Sequence, residues 1–265
     1  MKCAAINKNT MQIPNGSLGA DPRSLENVLR YFSADLDTEA VGSDVNIKDF
    51  ISGSTIAGGD GGDRGASINE TGGPNGKRAY DFSTGVYNLG NFNSNATNFA
   101  FTIVSKVTDT DSSGEGTIAF KNPTRLGFGG DFSIKYRVNI PTPGDDINAR
   151  VVSTLNAIPD LNEPENATVQ SMLKSYHVMT VVQANEKMTL RFNGQQHRQV
   201  TNSGLTIDMD FLLGDSDPDG SSAAGKFITP EFVIYTLNDT TNFSDVINME
   251  RYLQKKYGLT FKPIS

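Results

Sequence analysis

Two strands and a tight turn between residues 175 and 194 constrain the fold more than any other stretch of the chain. Residues 178–182 read Val-Met-Thr-Val-Val, a β-branched run typical of a strand. Residues 189–192 alternate polar and apolar side chains in the same way, after a short polar connection at 183–187. Asn193-Gly194 then supplies the two positive-φ residues that a two-residue hairpin turn requires. The stretch predicts an antiparallel meander.

Short strands broken by turns fill most of the remaining chain. Runs rich in β-branched and aromatic residues predict strands at 79–82, 86–89, 99–107, 116–120, 126–128, 132–138, 205–214, 227–228 and 232–235. Residues 23–34 fit either a short helix or a turn leading into a strand. The polar segment 141–170 contains Pro159 and Pro164, so we expect a long excursion there.

The carboxyl end of the chain changes period. Apolar residues recur at steps of three and four, as on one face of a helix, at Val246, Met249, Leu253 and Tyr257. Ser244 is a candidate N-cap, and Gly258 is suited to end the helix. Together these patterns predict an all-β fold: a two-sheet antiparallel jelly-roll sandwich with a short C-terminal helix. We expect one domain at 23–265, preceded by an extended N-terminal arm at 1–22.

Composition excludes several classes of partner. The 265 residues include 30 Asp and Glu against 23 Lys and Arg, a net charge of −7, which disfavours a nucleic-acid partner. No apolar run approaches the roughly 20 residues of a membrane span, so we expect no membrane insertion. The first residues lack the apolar segment of a secretory signal, which predicts synthesis in the cytoplasm. Cys3 is the single cysteine, so no internal disulfide can form.

Four stretches resemble the concanavalin A-like, laminin-G-like jelly-roll domains of phage virion proteins and bacterial surface proteins. They are residues 29–35 with 45–49, residues 78–82, residues 176–194, and residues 249–259. The last stretch, Met-Glu-Arg-Tyr-Leu-Gln-Lys-Lys-Tyr-Gly-Leu, is the most specific. The chain departs from the family in having no tryptophan. The resemblance implies a jelly roll displayed on a particle or on a cell surface.

The sequence lacks the catalytic run of hydrolases that share this jelly roll. Those enzymes carry paired carboxylates on one strand as Glu-x-Asp-x-x-Glu, because glycoside hydrolysis needs two placed carboxyl groups. Here Glu115 stands alone, and Asp208 and Asp210 have no Glu partner. We therefore expect no catalytic residues and a protein that is not an enzyme.

One loop offers side chains of the kind that bind sugars. Tyr87 could present an aromatic face, and Asn91, Asn93 and Asn95 could supply amide hydrogen bonds. The alternative is that the tyrosine lies in the core and the asparagines serve turns.

These observations favour a non-enzymatic virion structural protein, either a phage capsid decoration or a tail-associated adhesin. Such a protein would contact other virion proteins through its arm, be present in many copies on one particle, and bind host or environmental glycans weakly. The expected location is the virion, with the bacterial cell surface as the alternative. The alternative functions are a glycan-processing enzyme of the same fold and a bacterial surface adhesin.

An acidic turn is a candidate metal site. Asp215, Asp217 and Asp219 place three carboxylates at every second position, and calcium prefers several oxygen ligands from a bendable loop. The alternative is a solvated acidic turn, because Lys226 stands where a calcium-binding loop of the EF-hand type has its glutamate.

If the three aspartates bind calcium, a chelator should lower the melting temperature, since a ligand that binds only the native state stabilises it. The measurement is thermal unfolding with calcium and with chelator, beside a variant that has asparagine at positions 215, 217 and 219. An unchanged melting temperature at saturating calcium would identify the loop as a solvated turn.

Overall fold

The structure is a computed structural model that describes residues 21–58, 65–82, 87–92, 95–108, 114–121, 133–138, 147–152, 161–162, 171–201, 207, 210–214 and 227–260. The predicted arm lies outside the described residues except for its last two positions, and the strand predicted at 126–128 also lies outside them.

The described residues form sixteen strands, followed near the end of the chain by a helix of 14 residues. In chain order the elements are β1 (Val28–Ser33), β2 (Ile47–Lys48), β3 (Thr55–Ile56), β4 (Ser67–Asn69), β5 (Ala79–Asp81), β6 (Tyr87–Asn91), β7 (Phe99–Val107), β8 (Gly114–Lys121), β9 (Ser133–Val138), β10 (Ile147–Val152), β11 (Leu161–Asn162), β12 (His177–Ala184), β13 (Lys187–Phe192), β14 (Gln195–Thr201), β15 (Asp210–Leu213), β16 (Phe227–Thr236) and α1 (Ser244–Tyr257).

The strands make two main sheets. The larger sheet has eight strands in the order β14-β13-β12-β7-β16-β5-β4, with β1 also paired to β16. The smaller sheet has six strands in the order β11-β10-β9-β8-β15-β6, and β2 and β3 form a separate pair. Neighbouring strands are antiparallel throughout. The predicted all-β, two-sheet antiparallel sandwich with a C-terminal helix is confirmed.

Aromatic side chains fill the space between the two sheets. Phe101 of β7 stacks on Phe211 of β15 with ring centroids 6.1 Å apart, which joins the larger sheet to the smaller one. Within the larger sheet, the rings of Phe32 and Phe232 lie 4.4 Å apart. Such aromatic pairs add about 0.5–1.5 kcal/mol each beyond the area they bury. The core therefore depends on rings contributed by both sheets.

Helix α1 covers the outer face of the larger sheet. Its predicted apolar face is confirmed, because Val246, Met249, Leu253 and Tyr257 are all buried. They pack in one cluster with residues on the outer face of the sheet, among them Val104, Val178 and Val233. Strand β12 is consequently buried at every position, and β7 at all positions except Lys106.

The helix begins differently from the prediction. Ser244 is the first helical residue, and the cap position belongs to Phe243, whose φ is 53°. No side chain caps the helix at Phe243, and the Asp239 carboxylate orders the preceding turn by accepting N–H bonds from Asn242 at 3.0 Å and Thr241 at 2.9 Å. Those bonds lower the pKa of Asp239 to about 2. At the other end Gly258, with φ 62°, ends the helix as predicted.

Two tight turns set the register of the meander. Asn193 and Gly194 have φ of 48° and 81°, as the sequence predicts. A second two-residue turn lies at Asn185 and Glu186, with φ of 51° and 58°, where the sequence indicated a longer connection. Paired positive-φ residues match the twist of the strands they join. Strands β12 and β13 therefore extend further toward each other than predicted.

Another prediction is corrected, and one alternative is resolved. The expected excursion at 141–170 contains β10 and β11, which extend the smaller sheet beyond β9. Of the two structures that the sequence allowed at 23–34, the turn leading into a strand is the one that forms, because the backbone of residues 28–33 pairs with β16. The apolar spacing that suggested a helix there arises because β1 buries side chains on both of its faces.

Two ion pairs with buried carboxylates connect α1 to the larger sheet. Arg191 of β13 donates to both carboxylate oxygens of Glu250, each at 2.9 Å. Near the end of the helix, Lys256 pairs with Glu231 of β16, and the Tyr257 hydroxyl donates to the same carboxylate at 2.5 Å. Removing one partner of a buried pair costs more than the pair itself contributes, because the other charge is left uncompensated.

His177, the first residue of β12, is a packing residue. Its side chain is fully buried, and its ring meets Phe192 edge-on at 5.9 Å. Burial lowers the pKa of His177 to about 4, so the ring is neutral near neutral pH.

Glu250→Gln should lower the free energy of unfolding by about 3 kcal/mol, since it leaves the Arg191 guanidinium buried without its counter-charge. Arg251→Gln is the matched control, because Arg251 is an exposed neighbour on the same helix and should change stability by less than about 0.5 kcal/mol. Urea unfolding measures both. Equal stability of the two variants would contradict an anchoring role for the pair.

Candidate ligand-binding cleft

The residues predicted to bind a glycan do not all lie on the surface. Tyr87 is fully buried, and its hydroxyl donates to the Val45 carbonyl at 2.6 Å and accepts from the Ala66 N–H at 2.7 Å. This corrects the expectation that Tyr87 presents an exposed face to a sugar. Asn95 is exposed, and Asn91 lies opposite Asp210 in the pairing of β6 with β15. Asn93 lies outside the described residues, so a glycan role for the three asparagines remains a prediction.

The predicted calcium ligands Asp215, Asp217 and Asp219 also lie outside the described residues. Within the described part of the chain, no group of three or more His, Cys, Asp or Glu side chains is arranged to hold a metal ion. None of the helices described is both long enough and apolar enough to cross a membrane.

A polar cleft of about 310 Å³ lies beside the β2–β3 pair. It is formed by the loop between β1 and β2, residues 34–46, which we call the cleft loop, together with Lys48 of β2 and Thr55 of β3. The lining residues from the cleft loop are Asp37, Glu39, Val41, Ser43, Asp44, Val45 and Asn46. Carboxylates, an amide, two hydroxyls, an ammonium group and an exposed apolar side chain therefore meet in one concave surface.

Arg78, which immediately precedes β5, holds the first half of the cleft loop. Its guanidinium donates to the carbonyl oxygens of Ala34 at 3.1 Å and Asp37 at 2.5 Å, and also to that of Ala40. Its Nε donates to the Glu70 carboxylate at 2.9 Å. Because the planar guanidinium has five donors in fixed positions, a single side chain can fix three carbonyls of an irregular loop.

Two buried tyrosines hold the rest of the loop. Tyr80 of β5 donates its hydroxyl to Asp37 Oδ2 at 2.9 Å, and Tyr87 of β6 donates to the Val45 carbonyl. Burial, with the negative charge of Asp37 nearby, raises the pKa of Tyr80 well above its ordinary value, so the hydroxyl remains a donor. The cleft loop is thus held by hydrogen bonds from three side chains, Arg78, Tyr80 and Tyr87.

The charges that line the cleft are mostly negative. Glu39 and Asp44 form no ion pair with any Lys, Arg or His of the described residues, whereas Lys48 contributes one positive charge. Among the described residues, Val41 is the one large apolar side chain that is exposed, at 70%. The cleft therefore offers acceptors to hydroxyl or amine donors, with an apolar contact in the same surface.

Sequence reasoning did not find this cleft. Residues 35–58 form a loop-rich stretch without periodicity, and its acidic residues fit a solvated surface equally well. The available signal was Arg78-Ala79-Tyr80, which places two long donor side chains two residues apart, on the same face of a strand. The sequence gives no sign that the face with Arg78 and Tyr80 contacts the cleft loop.

Comparison with known proteins yields structural similarity alone. No protein-family model matches the sequence, and no curated protein is significantly similar to it. A Trypanosoma rangeli sialidase in complex with sialic acid has a TM-score of 0.57 and 10% identity, over 88% of this chain and 33% of the sialidase. The botulinum neurotoxin serotype D binding domain has a TM-score of 0.54 and 13% identity, over 84% of this chain and 51% of that one.

At this level of identity the similarity shows a shared β-sandwich fold. This chain spans about a third of the sialidase and about half of the toxin domain. The prediction that the protein is not an enzyme is contradicted, because the similar structures include several sialidases, one of them a mutant displaying trans-sialidase activity. The missing Glu-x-Asp-x-x-Glu run excludes one catalytic arrangement and does not exclude others. The neighbours give no support to a phage affiliation.

Tyr87→Phe should lower the free energy of unfolding by about 1–3 kcal/mol, because it leaves the Val45 carbonyl and the Ala66 N–H buried without the hydroxyl. Tyr252→Phe is the control, since among the described residues that hydroxyl makes a single long contact, 3.4 Å from the Tyr31 hydroxyl. Urea unfolding compares the two variants. If Tyr87→Phe were as stable as the parent chain, Tyr87 would not hold the cleft loop.

Proposed function

We propose that this protein is a glycan-binding β-sandwich module and that the cleft is its glycan site. The observation that carries the proposal is the fixing of an irregular polar loop by Arg78, Tyr80 and Tyr87. A loop held in place before the ligand arrives avoids the entropy cost of ordering it on binding. The volume of about 310 Å³ is at the lower end of the range found for small-molecule sites and suits one or two sugar units.

The lining has the chemistry that sugars require. Sugar hydroxyls can donate to the carboxylates of Glu39 and Asp44 and can accept from the amide of Asn46. Val41 offers an exposed apolar contact for the C–H face of a ring. The sandwich is also a fold of chains that handle glycans, since similar structures include a sialidase in complex with sialic acid.

A second candidate function is glycoside cleavage. Its support is the series of sialidases among the similar structures, together with three carboxyl groups, Asp37, Glu39 and Asp44, in one cleft. Glycosidases of most families use two such groups. Release of reducing sugar from a bound glycan, abolished by Glu39→Gln or Asp44→Asn, would favour cleavage over binding alone.

Display on a virion or on a bacterial surface is the broader setting that we propose for the module. Residues 1–22 would attach it, and many copies would strengthen a weak glycan site through avidity. Particle or cell-surface association of the full chain, compared with residues 23–265, tests this setting. Normal association of the shorter chain would remove the arm from the proposal.

Binding to a glycan panel of neutral, amino and sialylated oligosaccharides tests the central proposal, followed by calorimetry on the sugars that bind. The double variant Glu39→Gln with Asp44→Asn should weaken binding about tenfold or more, since it removes two charged acceptors while keeping the size of each side chain. Glu26→Gln with Glu186→Gln is the matched control, because both residues are exposed and neither lines the cleft. Absence of binding to every sugar, or equal binding by both double variants, would contradict the proposal.

A further inference from the structure

The carboxylate of Asp37 has one oxygen with two donors and one without. Asp37 is 2% exposed and lines the cleft. Its Oδ2 accepts the Lys48 N–H and the Tyr80 hydroxyl, each at 2.9 Å. No donor among the described residues hydrogen-bonds to Oδ1. Because a carboxylate oxygen accepts hydrogen bonds, Oδ1 can take a donor that a ligand brings into the cleft.

The charge of the described lining residues indicates which kind of donor group a ligand should carry. Three carboxylates and the Lys48 ammonium give the lining residues a net charge of −2. The Lys48 ammonium lies 6.0 Å from the centroid of the Phe50 ring, a distance at which the ring face attracts the cation. No Lys, Arg or His of the described residues forms an ion pair with Asp37, Glu39 or Asp44. A positively charged ligand would be attracted, whereas a carboxylated ligand would meet like charges.

A metal ion fits this arrangement less well than an organic cation. The three cleft carboxylates are not arranged as a metal-binding group, because the described chain contains no such group of three. A divalent cation needs several oxygens around one point. An ammonium group can instead satisfy carboxylates spread over a wider surface, with one N–H donated to each acceptor.

Resting on the glycan-binding function proposed above, we infer that the cleft selects a sugar with a free amine, a hexosamine unit, over a sugar with a carboxylate. The ammonium group donates to Asp37 Oδ1, and the neighbouring hydroxyls donate to Glu39 and Asp44. Val41 contacts the apolar face of the ring. A sialic acid is disfavoured in this cleft, although similar structures include a sialidase in complex with that sugar.

Calorimetry of the full chain with three probes tests the selectivity. The probes are a β-1,4-linked glucosamine tetramer, its fully N-acetylated counterpart, and sialyllactose, each titrated at a pH where the glucosamine amine is charged. The glucosamine tetramer should bind about tenfold or more tightly than the acetylated one, because a charged hydrogen bond replaces a neutral one. Sialyllactose should bind most weakly, and the preference should shrink at high salt.

Two sets of variants test which carboxylates of the cleft produce the preference for the amine. Asp37→Asn should abolish the preference for the amine, and its melting temperature shows whether the buried change disturbs folding. Glu39→Gln with Asp44→Asn changes exposed side chains and should reduce the same preference without that risk. Titration in the presence of a chelator should give unchanged affinity.

Equal or tighter binding of the acetylated or sialylated probe, or binding lost with chelator, would overturn the inference while leaving glycan binding in place. A preference for the amine that survives in both sets of variants would also overturn it. Binding of none of the three probes overturns the selectivity, and only failure of the wider glycan panel overturns the proposed function itself.

Discussion

Burial of the central strands on both faces is the constraint on which the rest of the structure depends. The smaller sheet covers one face of β7 and β12, and α1 covers the other, so polar groups on these strands must find partners inside the protein. The Thr102 hydroxyl accordingly lies 3.2 Å from that of Thr180 and 3.0 Å from that of Tyr235. The two ion pairs of α1 follow from the same requirement, because the helix can cover the sheet only if the charges beneath it are neutralised.

The cleft arises where this regular packing ends. The cleft loop runs from β1 to β2 without regular hydrogen bonding, so its buried carbonyls need donors from elsewhere. Arg78 and Tyr80 at β5 and Tyr87 at β6 supply those donors from strands of different sheets. Once these bonds are made, Asp37 Oδ1 remains as a free acceptor beside the exposed carboxylates. The hydrogen bonds that fix the loop therefore also leave this acceptor open to the cleft.

Local patterns predicted the elements whose geometry is local. The hairpin at Asn193-Gly194, the buried face of α1 and the helix end at Gly258 depend on neighbouring residues, and all three are confirmed. Tyr87 and the cleft could not be predicted, because the burial of this aromatic residue depends on contact with Val45, 42 residues earlier in the chain. The start of α1 was missed because the cap position belongs to Phe243 in a left-handed conformation, after a turn that the Asp239 carboxylate orders. Absence of one catalytic motif was a weak ground for excluding an enzyme, because one fold supports many chemistries.

The most direct measurement of the central claim is a map of backbone amide chemical shifts in the presence of a glucosamine oligomer. Few signals should change on the exposed edge strand β14, and perturbed signals should cluster at the cleft residues Asp37, Glu39, Asp44, Asn46, Lys48 and Thr55. The same signals should stay unchanged when sialyllactose is added at equal concentration. Perturbations confined to β14 or to the smaller sheet, with no perturbed signal from the cleft residues, would contradict a glycan site in the cleft.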